Sequence, residues 1–383
     1  MLMDINTLKW SEELCEAFGV PITILPSICP SAHPYGTVSH PELFQCLKGI
    51  PITGCVGDQQ SACLGQMLME SELKNTLGTG AFLVLNTGSR IISTSGTGLL
   101  TTVLYQLPDK TTYYGIEGAI GVAGQVIDFL QSNGIINSPK ECSKNASEIV
   151  RNNSLLKDLY FVSSFNGLLF PHFDPTARGI IVGLTQATNR NDLCYAALEG
   201  VAMQTSQIVD AMKASLSGDQ DIKDDEKNSP IEKIKVDGGL SQSNEMLQIM
   251  ADCCGIVCER PYMIETTSLG AAVAAGIGYG LWRNLKEAQQ YIQSRTDNSK
   301  QSDLFKPQMS SETRNERQLK WQEAVTRAEK WSDQHDEKKI TGKSSNSSKV
   351  EKNPETIPFY VGLACGIFLG VLISKIKFGK KSA

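Results

Sequence analysis

Residues 50–60 read IPITGCVGDQQ, and this stretch is the clearest indication of the fold. Residues 50–56 are mostly apolar or β-branched, which predicts a short buried strand. The residues that follow, from 59 to about 69, predict a helix. Asp58 therefore lies where a strand ends and a helix begins.

Asp58 has two interpretations at this junction. Asp is a preferred N-cap, because its carboxylate accepts hydrogen bonds from the first free N–H groups of a helix. Alternatively, the carboxylate faces a ligand. In phosphoryl transfer a carboxylate orients and deprotonates the attacking hydroxyl, while other groups neutralise the phosphate oxygens. The spacing favours neither interpretation, and Asp58 is the candidate general base.

A glycine turn follows at Gly78-Thr79-Gly80. It lies between residues 75–77 and 81–88, which predicts a strand, a tight turn and a returning strand. Glycines let backbone N–H groups approach anionic oxygens, and the Thr79 hydroxyl adds a donor. The alternative is an ordinary hairpin turn that binds no ligand.

A third glycine feature, Asp237-Gly238-Gly239, ends a predicted strand at residues 231–236. A helix at 244–254 and a strand at 256–259 follow it. Glycines at the carboxyl end of a strand allow a ligand to pack on bare backbone, although they also suit a simple turn. Residues 268–276 are rich in Ala and Gly, which favours a helix packed closely inside a core.

Composition limits the function. The 383 residues have room for about two domains. The net charge of -5, with no basic cluster in the folded part, argues against nucleic acid as a partner. The 11 Cys contain no Cys-x-x-Cys pair, and there are four His, so neither a zinc site nor a Cys–His catalytic pair is indicated. The acidic residues at 218–228 predict a solvated loop.

An uncharged run of 18 residues, 357–374, lies near the carboxyl terminus and is followed by four Lys. It is long enough to span a membrane and predicts a tail anchor that leaves the folded part in the cytosol. A buried core helix is the alternative, but the polar residues 332–356 separate the run from the rest of the chain. Gly362, Gly366 and Gly370 form one small-residue face, which is consistent with a homodimer.

Taken in this order, the segments resemble the sugar-kinase group with the actin-like ATPase fold (ribonuclease H-like, α/β), and within it the glycerol kinase family. The resemblance covers residues 1 to about 331. It is densest at residues 10–26, 54–88, 98–102, 170–179 and 234–280.

The resemblance implies that the chain contains the end of an amino-terminal kinase domain, a complete carboxyl-terminal nucleotide-binding domain, terminal helices, a polar linker and a transmembrane tail. The expected bounds are 1–65, 66–290, 291–331, 332–356 and 357–376, in that order. Family members have an amino-terminal domain with a first phosphate loop and an Arg-Glu pair that holds glycerol, and these motifs are not found in the sequence. The resemblance therefore leaves the glycerol kinase activity of the 383 residues alone in doubt. The alternative function is that of a non-catalytic, membrane-tethered scaffold.

The resemblance also implies roles for single residues in ATP- and Mg²⁺-dependent phosphorylation of glycerol. Asp58 would be the base, Gln59 a glycerol ligand and Phe82 part of the glycerol pocket. The nucleotide-binding positions would be Thr79, Gly124, Asp128, Gly239 and Ser243.

Two of these positions depart from the family pattern. Asp128 stands where the family has a glutamine, and Ser243 stands where it has an asparagine. The contacts on the adenine side are therefore the least secure part of the resemblance. The membrane tail is similar to that of animal glycerol kinases, which implies attachment to the mitochondrial outer membrane. The family's effector-loop pattern is not recognisable between His33 and Lys48, so regulation by sugar phosphates is not implied.

Overall fold

A seven-stranded mixed sheet organises the protein, which we describe from a computed structural model of residues 2–39, 45–151, 158–218, 231–263, 265–295 and 302–332. The described strands are β1 (Met3–Asp4), β2 (Lys9–Trp10), β3 (Ala32–Thr37), β4 (Pro51–Gly54), β5 (Leu73–Leu77), β6 (Ala81–Gly88), β7 (Leu100–Gln106), β8 (Thr112–Ile120), β9 (Tyr160–Val162), β10 (Ile180–Val182), β11 (Lys233–Asp237), β12 (Val257–Arg260) and β13 (Asp303–Phe305). The described α-helices are α1 (Glu12–Ala17), α2 (Asp58–Gly65), α3 (Gly124–Ser132), α4 (Pro139–Arg151), α5 (Arg190–Gly218), α6 (Asn244–Cys254), α7 (Thr266–Tyr279), α8 (Leu285–Arg295) and α9 (Ser311–Ala328).

The strand order in the large sheet is β13-β12-β11-β5-β6-β8-β7. Strands β5, β11 and β12 are parallel, whereas β6, β7, β8 and β13 run antiparallel to their neighbours. Asp237 pairs with Thr76 across β11 and β5. Because the carboxyl ends of parallel strands meet at one edge, the Asp237-Gly238-Gly239 turn lies beside the glycine hairpin.

Helices cover both faces of this sheet. Leu83 and Leu85 of β6 join the larger core, together with residues of α3 to α6 and α9. Val84, between them, joins a smaller core with residues of α2, α7 and α8. This alternation follows from the period of two along a strand, and it places α2 and α7 on the same face.

Two glycines allow α2 and α7 to approach each other closely. A Cβ at Gly65 would lie 1.8 Å from the Thr266 carbonyl oxygen, and one at Gly270 would lie 1.7 Å from the Ser61 carbonyl oxygen. Neither position can hold a larger residue without a backbone shift. Close packing by the small-residue helix is therefore confirmed.

Several predicted elements are present with different limits. The hairpin forms as β5 and β6, and α6 has the predicted bounds. The predicted helix at 59–69 is wrong at its end, because α2 stops at Gly65 and Met67 takes a left-handed φ of 49°. That turn returns Leu68 to the core, where its N–H bonds the Cys63 carbonyl at 2.9 Å.

The strand predicted at 50–56 is present as β4, but the prediction that it is buried is wrong. Strand β4 forms a two-stranded ribbon with β3 and leaves Ile52 45% exposed. Only the Thr53 side chain of β4 is fully buried. The ribbon packs against α7, where a Cβ at Gly278 would lie 2.0 Å from the Thr53 carbonyl oxygen.

Three sequence predictions lie outside the described residues, wholly or for the most part. These are the uncharged run at 357–374, the polar linker at 332–356 and the acidic segment at 218–228. In the part of the chain that the structure describes, no helix has both the length and the apolar character needed to cross a membrane.

Candidate active site

Asp58 is the first residue of α2, and its side chain is exposed. Gly57 occupies the N-cap position, and the Asp58 carboxylate accepts the N–H of Gln59 at 2.7 Å. Asp58 is therefore not the N-cap residue itself, although its carboxylate accepts one of the first free N–H groups of the helix, as the N-cap interpretation expected. A carboxylate in the first helical turn is favoured by the helix dipole, and here it also faces solvent, where a substrate hydroxyl can reach it.

A set of polar side chains lies beneath the first turn of α2. We call it the buried polar cluster and define it as Gln59, Gln60, Lys74, Thr76 and Glu117. The Lys74 side chain is 0% exposed. Its Nζ donates to Gln59 Oε1 at 2.9 Å and to Thr76 Oγ1.

Glu117, on β8, completes the cluster. Gln60 Nε2 donates to Glu117 Oε1 at 3.4 Å. Burial raises the pKa of Glu117 above its ordinary value, while a hydrogen bond with Thr102 and the charge of Lys74 partly oppose the rise. Sequence reasoning missed this cluster, because Lys74 lies outside the strand predicted at residues 75–77 and belongs to β5 only in the structure.

Phe82 lies on the same face of the sheet as the cluster. It pairs with Thr76 on one side and with Ala119 on the other, and it is 43% exposed. Residues opposite each other on neighbouring strands share a face, as do residues two apart on one strand. Phe82, Thr76 and Lys74 therefore share the face on which Gln59 rests.

The glycine hairpin contacts the start of α3. The N–H of Ala123 donates to the Thr79 carbonyl at 2.8 Å, and the N–H of Gly124 donates to the Gly78 carbonyl at 2.9 Å. A Cβ at Gly124 would lie 2.6 Å from the Gly78 oxygen, so this approach requires glycine. The structure thus brings Thr79 and Gly124 together, with Thr79 exposed.

The Asp237-Gly238-Gly239 turn has one structural carboxylate and one open glycine. Asp237 is buried, and its Oδ2 accepts from Gln66 Nε2 at 2.6 Å and from Thr266 Oγ1 at 2.5 Å. These bonds link β11 to the end of α2 and the start of α7. A Cβ at Gly239 would meet no atom within 4 Å, so open space adjoins this backbone.

Asp128 and Ser243, the two departures from the family pattern, have separate surroundings. Ser243 caps α6, because its Oγ accepts the Met246 N–H at 3.1 Å, and it also bonds Ser143 at 2.8 Å. Asp128 is exposed one turn after Gly124 and lines a cavity of about 680 Å³ with Phe129 and Phe165. Among the described residues, no hydrogen bond links either side chain to the hairpin or to Asp58.

The chemistry of these groups fits a magnesium nucleotide. The hairpin, Gly124 and Gly239 offer close backbone approach to phosphate and nucleoside groups. No group of three or more His, Cys, Asp or Glu side chains that could hold a metal occurs within the described ranges. Mg²⁺ that is bound together with substrate phosphates and water commonly uses only one or two carboxylates, so it does not require such a group.

The fold is that of the actin-like sugar kinases. Residues 73–279 match the carboxyl-terminal domain of the FGGY family of carbohydrate kinases, and residues 1–65 match its amino-terminal domain. The chain belongs to the FGGY family of carbohydrate kinases.

Individual relatives are glycerol kinases. The chain is 39% identical over 336 residues to glycerol kinase of Renibacterium salmoninarum, covering 87% of this chain and 62% of that protein. It is 40% identical over 337 residues to glycerol kinase of Pseudarthrobacter chlorophenolicus, with the same coverage of 87% and 62%. The chain thus spans about 62% of the length of the curated relatives it matches.

A solved structure of a glycerol kinase is also similar to this chain. Plasmodium falciparum glycerol kinase with ADP matches with a TM-score of 0.72 and 35% identity, over 85% of this chain and 61% of that chain. A ligand-bound xylulose kinase from Lactobacillus acidophilus has a TM-score of 0.64 at 19% identity, over 84% of this chain and 60% of that chain, and shows the fold alone.

Proposed function

We propose that the protein phosphorylates glycerol with ATP to give glycerol 3-phosphate. The observation that supports this most strongly is the exposed Asp58 carboxylate at the start of α2, with Gln59 anchored beside it by Lys74. The similarity to glycerol kinases supports glycerol, rather than a larger sugar, as the acceptor.

In this proposal Asp58 accepts the proton of a terminal glycerol hydroxyl as that oxygen attacks phosphorus. Gln59 orients the substrate, and the exposed ring of Phe82 covers its carbon chain. Fixed orientation of the reacting atoms and electrostatic stabilisation of the phosphate supply most of the rate enhancement, since little covalent chemistry is required of the protein.

A separate group of residues, Thr79, Gly124 and Gly239, holds the nucleotide. Thr79 contacts the phosphates. The backbone at Gly124 contacts the nucleoside, and Gly239 leaves room for the adenosine. Bound Mg²⁺ neutralises the phosphate oxygens. Asp128 and Ser243 belong to the adenine side, where Ser243 is already engaged as a helix cap. We therefore expect Ser243 to contribute less to nucleotide affinity than Gly239.

The chemical test is direct detection of the product. The protein is incubated with ATP, Mg²⁺ and carbon-13-labelled glycerol, and labelled glycerol 3-phosphate is measured by mass spectrometry. Product that depends on both ATP and glycerol supports the proposal. ATP hydrolysis without a labelled phosphate ester would refute it.

We also propose a membrane location through residues 357–374, with the kinase domain facing the cytosol at the mitochondrial outer membrane. The support comes from the sequence, which combines an uncharged run long enough to span a bilayer with a following group of Lys. The glycine face formed by Gly362, Gly366 and Gly370 is the basis for proposing a homodimer through this segment.

A further inference from the structure

Lys74 is a buried charge that anchors Gln59, and the proposed mechanism does not say what this contact does for the substrate. It lies on β5 with an exposed fraction of 0%. An ammonium group is unfavourable to bury unless its hydrogen bonds and charge are matched. Gln59 and Thr76 accept two of its donors, and Glu117 supplies a nearby negative charge.

The contact with Lys74 decides which way the Gln59 amide points. An ammonium has three donors and no acceptor, so only the amide oxygen can face it at 2.9 Å. The NH₂ group of Gln59 is then directed away from Lys74. Gln59 is half-buried between the buried Lys74 and the exposed Asp58, so its donors are turned toward the exposed side of the site.

We propose that Lys74 is a positioning residue that holds the Gln59 NH₂ group toward a hydroxyl oxygen of the polyol substrate. This inference rests on the proposed function, in which Gln59 binds glycerol. A hydroxyl both donates and accepts. When Asp58 accepts one hydroxyl proton, a neighbouring donor complements the oxygen of the next hydroxyl. An amide turned the other way would offer a second acceptor, so the oxygen of that hydroxyl would lose its donor.

Lys74→Met tests this role, because it removes the ammonium and keeps most of the side-chain volume. We expect this variant to have a KM for glycerol about three- to tenfold higher than the parent, because one ordered hydrogen bond is lost. The KM for ATP should stay within about twofold, because the nucleotide residues do not contact Lys74. A general loss of folding would change both constants or the amount of soluble protein.

Lys235→Met is the matched control. Lys235 lies opposite Lys74 in the neighbouring strand. Its Nζ bonds Glu72 Oε2 at 2.6 Å and the Gln66 and Met67 carbonyls just after α2 at 3.2 and 3.3 Å, but not Gln59. It tests the same substitution in the same sheet without changing the amide. A similar rise in the glycerol KM from Lys235→Met would overturn the specific role of Lys74.

A double-mutant cycle with Gln59→Leu tests whether the two residues act together. If Lys74 acts through the amide, adding Lys74→Met to Gln59→Leu should raise the glycerol KM by less than about twofold. Independent, additive effects would overturn the inference.

A crystal structure of the parent protein soaked with glycerol decides the orientation without any variant. We expect the Gln59 amide to contact Lys74 with one atom and a glycerol oxygen, within about 3.2 Å, with the other. An amide that contacts glycerol but not Lys74 would overturn the inference. Absence of glycerol 3-phosphate, with the Lys74–Gln59 contact intact, would instead refute the proposed function.

Discussion

Asp58 is the residue on which the proposed chemistry depends. Its place at the start of α2 could be predicted from residues 50–60. The structure places Gly57 at the N-cap position and Asp58 in the first turn, where its carboxylate accepts the Gln59 N–H and is also exposed. Lys74 and Glu117 could not be predicted in the same way. A charged residue within a strand usually marks the solvent face, and only the packing of α2 over the sheet shows that Lys74 is buried and Glu117 partly buried.

At this scale we expect Asp58→Asn to lower kcat by about 10²- to 10⁴-fold, because a general base acts in the transition state. ADP affinity, measured by calorimetry, should change little. Asp109→Asn is a suitable control, since Asp109 is exposed in a turn and bonds only the Thr111 N–H among the described residues. A kcat for Asp58→Asn within about threefold of the parent would exclude the base role.

Glu117 gives a prediction about pH. Its pKa in the folded protein is raised by burial, so the folded state binds this proton more tightly than the unfolded state. The contribution of Glu117 to stability is therefore fully present below its ordinary value of 4.5 and decreases as the pH rises through the raised pKa.

Urea unfolding of the parent and of Glu117→Gln measures this effect. The free energy of unfolding of the parent, minus that of the variant, should fall as the pH rises above the ordinary Glu117 pKa of 4.5. Other titrating groups cancel in the difference. A difference that is constant or increases over this range would show that Glu117 is not held in a desolvated position.

At the scale of secondary-structure elements, the contact between α2 and α7 is the feature that positions the helix carrying Asp58. The sequence predicted the small-residue helix and the hairpin, because both follow from local patterns. It did not predict that α2 would end at Gly65, since that end is fixed by Asp237 and Thr266, which lie far along the chain. Tertiary contacts therefore set the length of the helix that positions Asp58.

Gly270→Ala should destabilise the protein by roughly 1–3 kcal/mol, because its methyl group would overlap the Ser61 carbonyl and force the helices apart. Thermal unfolding measures the change. Gly239→Ala is the matched comparison, since its methyl group enters open space. We expect Gly239→Ala to keep the parent stability and to weaken ADP binding. The reverse pattern would show that the helix contact and the nucleotide site have been assigned to the wrong glycines.

The whole molecule combines a kinase domain with a proposed tail anchor. A fluorescent protein that ends in residues 353–383 should become membrane-bound, resist carbonate extraction and localise to mitochondria, because the uncharged run is long enough to span a bilayer. Replacing Leu363 and Leu369 with Arg is the control, since charges at the membrane centre oppose insertion. A soluble parent reporter would contradict the anchor.

Glycerol phosphorylation by the native protein is the most direct test of the proposed function. The protein is isolated from its native source and given ATP, Mg²⁺ and labelled glycerol, while ADP and glycerol 3-phosphate are measured together. We expect the two products in equal amounts and no ADP above background when glycerol is left out. ADP formed at the same rate without glycerol, or no phosphate ester of glycerol, would contradict the assignment of Asp58, Gln59 and Phe82 to a glycerol site.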